Sequence, residues 1–240
     1  MIHPDTELRH VNDEIGLGVF ATRTIPRGTI IWARDNLDQT FTPAQVARMA
    51  PEYQAILEKY SFVDAQGQYV LCWDHSRFFN HSCEANCLSG GYDFELAIRD
   101  IQAGEELTDD YGTLNLRARF RCACGAPGCR QWVLPDDMER LAHVWDGKVH
   151  EVFPLIRQVA QPLWNLVREK ESIIAALREP RLLRSDRMNY APLDPAARPP
   201  GTVPEPMVAD AVRSTPPVRR NGESHAPPRG ARMEHVGEPA

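Results

Sequence analysis

Nowhere does the sequence hold an uninterrupted apolar run of about eighteen residues, the length a membrane-spanning helix needs. The N-terminal MIHPDTELRHVNDEIG has no basic segment leading into an apolar one, so no secretory signal is read there and a cytoplasmic setting is the default expectation. Positive charge is not in excess either. With a net charge of −6 and a pI near 5.8, the chain offers no electrostatic footprint for nucleic acid or for an anionic membrane surface, whereas a basic partner is compatible. Lysine is scarce, with only Lys59, Lys148 and Lys170 against twenty-four arginines, a compositional bias of little functional weight. Aromatic residues stop at Tyr190, and eleven of the twenty prolines fall in residues 191–240, a stretch expected to be disordered because it cannot bury a core. What remains of the 240 residues suffices for one ordinary domain with appendages or for two small ones. Six cysteines without a secretory signal read better as metal ligands than as a disulfide framework.

Residues 15–34 carry β-branched runs divided at Pro26-Arg27-Gly28, which predicts two strands of an antiparallel pair or meander. Thr42-Pro43 supplies an N-cap and a first-turn proline for a short helical insert that Pro51 divides. Tyr69 to Cys72 predict a further strand, with Cys72 a buried thiol. Phe94, Leu96 and Ile98 alternate with Glu95, Ala97 and Arg99 as in a half-buried strand. From about residue 136 the apolar period changes to threes and fours, through Met138, Leu141, Val144, Trp145, Val149 and Val152. Two or three helices follow from this, cut by Pro154 and Pro162, with Leu163 to Leu177 forming the last. These helices should pack on the β region or on a second subunit.

Four constellations can carry chemistry. Cys122-x-Cys124-x4-Cys129, set among glycines and a proline, has the tight backbone that three convergent thiolates require. A closed tetrahedral zinc site needs one more ligand, for which Cys83 or Cys87 is the natural candidate. In Arg77-Phe78-Phe79-Asn80-His81-Ser82-Cys83, Asn80 can donate and accept, and His81 can recognise a ring edge or a metal, although a hydrogen-bonded core turn is the plainer reading. Gly104 to Gly112 is an acidic turn and strand ending at Tyr111, whose phenol can orient a nucleophile or contact a cation; taken alone, it reads as a satisfied core tyrosine. Gly16-Leu17-Gly18 lets backbone approach a ligand, though such a pair is common in turns.

Taken together, GLGVFAT, RFFNHSC, GEELTDDYG and CxCxxxxC, in this order and spacing, resemble the SET-domain protein lysine methyltransferases with their post-SET zinc segment. The resemblance covers about residues 7–134. It implies a mainly β SET-type fold with a threaded segment, a SET domain over 1–115 and a zinc segment over 116–134; beyond it, the apolar period and the composition give a helical extension over 135–190 and a tail over 191–240. It further implies that Leu17, Gly18, Arg77, Phe79, Asn80 and His81 hold S-adenosylmethionine, with Tyr60 and Trp132 completing the pocket. Tyr111 corresponds to the catalytic tyrosine, and Cys83 joins Cys122, Cys124 and Cys129 as ligands of a structural zinc, Cys87 being left out.

The chemistry implied is an in-line methyl transfer to a neutral lysine amine of a protein substrate, which alignment and desolvation promote. Tyr111 would then orient the methyl group by weak C–H···O contacts rather than act as a strong base. Two positions depart from the family's substrate channel. Asp109 and Arg34 stand where aromatic residues are expected, while Phe62 keeps its ring. Either the two charges neutralise each other, or the acceptor is not an ordinary peptidyl lysine, or the alignment slips by two and Trp32 fills the place of Arg34. A binding module of SET type that has lost methyl transfer and acts through residues 136–178 is the alternative function. The partner expected is a lysine-containing protein or peptide, for which acidic charge permits a basic one such as a histone-like tail, with no direct nucleic-acid or membrane contact.

Overall fold

The computed structural model of the chain describes residues 1–191, so all but the first residue of the expected tail lies outside the described residues. Twelve short strands and four α-helices are described: β1 (Thr6–Asn12), β2 (Gly16–Ala21), β3 (Ile30–Ala33), β4 (Gln39–Phe41), α1 (Pro43–Val46), α2 (Pro51–Tyr60), β5 (Ser61–Val63), β6 (Tyr69–Leu71), β7 (Asn80–His81), β8 (Cys87–Ser89), β9 (Phe94–Ala97), β10 (Glu106–Asp109), β11 (Phe120–Arg121), β12 (Trp132–Val133), α3 (Asp137–Val152) and α4 (Lys170–Arg178). They form sheets in the orders β1-β2-β10-β7, β3-β9-β8, β4-β6-β5 and β11-β12. Among the described residues no helix is long and apolar enough to cross a membrane.

The two strands expected over 15–34 form, but they do not pair with each other. Both edges of β2 are occupied, by β1 and by β10, while β3 pairs with β9 in another sheet. The connection between them is tied elsewhere: Ile25 bridges Ile101, and the Gly28 amide donates to the Ala97 carbonyl at 2.8 Å. Gly28 sits at φ +85°, and a Cβ there would come within 2.6 Å of Leu155 Cβ, so a helix-side residue packs into the turn. β1, the partner that β2 takes, has mostly exposed side chains, which is why no apolar alternation betrayed it.

The helical insert matches its sequence signals. Thr42 Oγ1 accepts the Gln45 amide at 3.2 Å and Gln45 Oε1 accepts the Thr42 amide at 2.8 Å, a reciprocal capping box. Pro51 then opens α2, where only Leu57 is buried.

α3 buries Met138, Ala142, Trp145, Val149 and Val152, steps of four and three that keep one face on the protein, while Val144 faces out. Pro154 lacks the amide to continue the α-helix, and a 3-10 turn over Phe153–Arg157 follows. The long last helix expected over Leu163–Leu177 breaks into a 3-10 turn at Trp164–Leu166 and the separate α4. Val167, buried with ψ 127°, leaves the helical region, and Arg168 donates to the Asp35 carbonyl at 2.9 Å. That tertiary bond replaces a helical turn.

The apolar faces of these helices do not form a separate body. Met138, Trp145, Val149, Phe153, Leu163 and Ile173 share one buried cluster with Ile30, Leu88, Phe94 and Leu96 of the β3-β9-β8 sheet. Each such side chain, fully buried, contributes about 1.5–3 kcal/mol. A second cluster of Val19, Ile25, Ile31, Cys87, Ile101 and Leu107 lies under β2 and β10, with Phe78 and Phe79 packed against it.

Candidate active site

β10 runs between β2 and β7, antiparallel to the first and parallel to the second. The three motifs, far apart in sequence, therefore lie on adjacent strands, with Thr108 opposite Asn80 and Asp109 opposite His81. Asn80 Nδ2 donates to the Leu17 carbonyl at 3.0 Å and to Glu106 Oε1 at 2.7 Å, tying the edge strand β7 to both β10 and β2. A Cβ at Gly18 would come within 2.3 Å of Glu106 Oε1 and 2.9 Å of Asn80 Nδ2. Position 18 thus needs glycine for close approach of these groups. Asn86, buried on the far side of the NHSC motif, accepts the Thr108 amide at 2.8 Å and donates to the Glu106 carbonyl at 2.8 Å, fixing β10 lengthwise.

His81 and Tyr111 are coupled. The Tyr111 amide donates to His81 Nδ1 at 3.1 Å, which leaves the ring proton on Nε2, 3.4 Å from Cys83 Sγ. Burial pushes His81 down to about 4, against the opposing charge of Asp110, so the ring is neutral at pH 7. The Tyr111 hydroxyl donates to the Phe79 carbonyl at 2.5 Å. Burial raises its pKa, and the charges of Asp109 and Glu106 raise it further, so it remains a phenol at neutral pH. Phe120 on β11 closes this corner, 5.7 Å from the His81 ring and 6.0 Å from Tyr111. Nothing in the sequence marked Phe120, a half-buried aromatic set apart only by where β11 places it.

A cavity of about 750 Å³ opens beside Tyr111. Among the residues selected from sequence, Tyr60, Arg77, Phe79, Phe62, Asp109 and Arg34 line it, and so does Trp32. Leu17, Gly18, Asn80 and His81 lie behind, on β2 and β7. Trp132, on β12, is half-exposed with the Arg119 guanidinium 4.9 Å from its ring centre. Tyr60 meets Phe78 edge-on at 5.4 Å, and Arg77 donates to the Trp73 carbonyl at 3.4 Å. Arg34 and Asp109 do not neutralise each other. Among the described residues Arg34 pairs with Asp64 at 3.3 Å and Asp93 at 3.7 Å. Trp32, two residues before Arg34, stands edge-on to Phe62 at 5.7 Å, so an aromatic pair lines the cavity. Among the described residues Asp109 has no cationic partner, and burial, followed by the charge of Asp110, pushes it up to about 7.

Cys83, Cys122, Cys124 and Cys129 converge, with their sulfurs within 4.8 Å of one another. The Cys83–Cys122 separation of 3.8 Å matches the edge of a tetrahedron of zinc–sulfur bonds of about 2.3 Å. Backbone amides of Arg130, Cys124 and Gln131 point at the sulfurs of Cys83, Cys122 and Cys129 at 3.3, 3.4 and 3.4 Å, an arrangement that favours thiolates. Left-handed backbone at Gly125 and Gln131, φ 68° and 64°, makes the turns tight enough. Cys87 is fully buried away from this group, and Cys72 is a buried thiol pushed up to about 12 by desolvation.

The cysteine corner is wired to Tyr111 through Asp110. Arg130 grips that carboxylate at 2.6 and 2.7 Å, Trp145 Nε1 on α3 donates to it at 3.2 Å, and the Gly112 amide at 3.0 Å. A Cβ at Gly112 would strike the Trp145 ring at 2.9 Å. The sequence displayed Asp110 and Trp145 but not their contact, because helix and motif are joined only in three dimensions.

The chain resembles known proteins over this same region. A model of the SET domain matches residues 16–112. The Drosophila melanogaster histone-lysine N-methyltransferase trr is 30% identical over 133 residues, 49% of this chain and 5% of that protein. Two Schizosaccharomyces pombe histone-lysine N-methyltransferases match as well. The H3 lysine-9 specific one is 32% identical over 50% of this chain and 31% of its own length; the H3 lysine-4 specific one is 42% identical over 49% and 14%. The chain thus spans less than a third of the length of these relatives. The methyltransferase domain of human SETMAR is similar at 20% identity and a TM-score of 0.38, over 55% of this chain and 58% of that one. With its three motifs on neighbouring strands of a mainly β fold, residues 16–112 are a SET domain.

Proposed function

We propose that the protein transfers a methyl group from S-adenosylmethionine to the ε-amine of a lysine in a protein substrate. The observation that carries this reading is the Tyr111 hydroxyl, held on the Phe79 carbonyl at the wall of the cavity, next to the Asn80–Leu17–Gly18 crossing. Leu17 and Gly18 would meet the methyl donor through backbone, and Asn80 would keep that backbone in place. Arg77, Phe79 and Tyr60 would border the donor, with Trp132 covering it from the side. The donor supplies an electrophilic methyl on a sulfonium. The protein supplies orientation and a dry channel, in which a lysine of ordinary pKa about 10.4 loses its proton more readily. A phenol that stays protonated orients the methyl group and does not take that proton.

The relatives carry names that specify histone H3 lysines. A basic, histone-like peptide is the substrate class this chain's acidity favours, and a nuclear setting goes with it. Four thiolates with amide donors are the donor set of a structural zinc, whose part is to fasten the segment carrying Trp132 to Cys83, beside His81. The alternative of a binding module acting through the helices has less to recommend it, because their apolar faces are spent on the shared core.

The test is one preparation of wild type and Tyr111→Phe. Each should carry one zinc per chain by metal analysis and bind S-adenosylmethionine alike in calorimetry. Single-turnover methyl transfer to a histone H3 peptide should fall about 100-fold in the variant, the scale of losing one transition-state contact. An unchanged rate removes Tyr111 from the mechanism, and absent zinc removes the metal.

A further inference from the structure

Asp109 is an anomaly of charge at the point where the motifs converge. It ends β10, between the strand bearing Leu17 and Gly18 and the strand bearing Asn80 and His81. Its side chain is almost entirely buried, at 5% exposure for the residue, and what it faces is the cavity shared with Tyr111 and Phe79. Oδ1 accepts the Asp110 amide at 2.7 Å; among the described residues no donor reaches Oδ2. The nearby guanidinium groups are committed, Arg34 to Asp64 and Arg130 to Asp110. A carboxyl group aimed into a cavity with one oxygen unclaimed is a costly arrangement unless a ligand completes it.

We propose that the Asp109 carboxylate is the counter-charge for the sulfonium of the methyl donor, an inference that rests on reading this cavity as the methyl-transfer site. Of the other carboxylates nearby, Asp110 is held by Arg130, Glu106 by Asn80, Asp64 and Asp93 by Arg34, and Glu169 by Arg184. The titratable and charged groups on the surrounding elements are Glu106 and Asp110 next to Asp109 in sequence, His81 on β7, Cys87 on β8, Glu95 on β9 and the Tyr111 phenol. Burial keeps His81 neutral and Cys87 and Tyr111 protonated, so none of these three sets a charge beside an incoming cation. In the free protein Asp109, held up to about 7, is only partly ionised at neutral pH. A cation fixed beside it draws its pKa down, so binding the donor expels a proton. Affinity for the donor then rises with pH, whereas affinity for the neutral thioether left after transfer does not follow. The protein would favour donor over product through charge as well as shape.

Calorimetry on the full chain decides this without a substrate. S-adenosylmethionine and S-adenosylhomocysteine are titrated at about pH 6 and pH 8, in buffers of different ionisation enthalpy, into wild type and Asp109→Asn. The groups the two ligands share cancel in the ratio of their affinities. In wild type the preference for the sulfonium should rise about tenfold over this range, the change that one pKa unit carries, and the sulfonium should release more protons on binding than the thioether. In Asp109→Asn the preference should be flat and the extra release absent. Proton release equal for the two ligands in wild type, or an unaltered pH dependence in the variant, overturns the proposal and leaves the methyltransferase reading standing. Failure of both ligands to bind folded protein overturns that reading and the proposal together. The proton-release measurement needs only wild type, so an unstable variant does not spoil it.

Discussion

Residues 16–112 and residues 137–191 build the same site by different means. In the first region, side chains are locked by bonds to backbone: Asn80 to the Leu17 carbonyl, Tyr111 to the Phe79 carbonyl, Asn86 to both faces of β10. In the second, what counts is apolar mass and a returning strap. α3 and α4 fill the core beneath β3, β8 and β9. The segment after α4 comes back over the cavity, where Asn115 Nδ2 donates to the Asn189 carbonyl at 2.7 Å and to the Val63 carbonyl at 2.8 Å, and Arg184, Met188 and Asn189 line the wall. Chemistry needs particular atoms at particular distances, which few residue types satisfy. Filling a core needs only volume and apolarity, which many do. The first region therefore resembles its relatives and the second does not announce itself.

If this contrast is sound, damage to the second region should reach the first. The largest effect is expected for Trp145→Ala, which opens a void under Gly112 and removes a donor from Asp110; chemical denaturation should register a loss of about 3–5 kcal/mol, and a loss below about 1 kcal/mol would separate the helices from the site. Next comes Arg130→Gln, which leaves Asp110 buried with only amide and indole donors. Because Arg130 is itself partly exposed, about 2–3 kcal/mol is expected, together with weaker retention of zinc against a chelator. Equal zinc retention would mean that the cysteine corner and Tyr111 are independent. The smallest effect should follow Asn115→Ala, about 1 kcal/mol in global stability for the lost hydrogen bonds. Proteolysis should nonetheless cut near residues 184–191 at least several-fold faster, since the clamp ties the strap to Val63 on β5. Uniform protection would show the strap to be held by other contacts.

The sequence was informative in proportion to how local each signal is. The N-cap at Thr42, the breaks at Pro51 and Pro154 and the buried face of α3 depend on neighbours in the chain and were legible. Strand pairing was not. The runs at 15–34 named two strands, but their partners are β1, with mostly exposed side chains, and strands sixty or more residues away. The break before α4 was hidden because Arg168 is held by the Asp35 carbonyl, a bond across the fold.

By itself the sequence determined the inventory of the site: a glycine pair, an Asn-His-Ser-Cys turn, an acidic strand ending at Tyr111, and a cysteine triplet in need of a fourth ligand. These are readable because each residue's chemistry is its own. Only the tertiary structure decided that Cys83, and not Cys87, meets the cysteine triplet, that Arg34 takes Asp64 and leaves Asp109 without a cationic partner among the described residues, and that α3 braces the tyrosine's turn through Trp145. Which groups meet is set by how sheets pair and helices pack, and those choices minimise the free energy of the whole chain rather than of any segment in it.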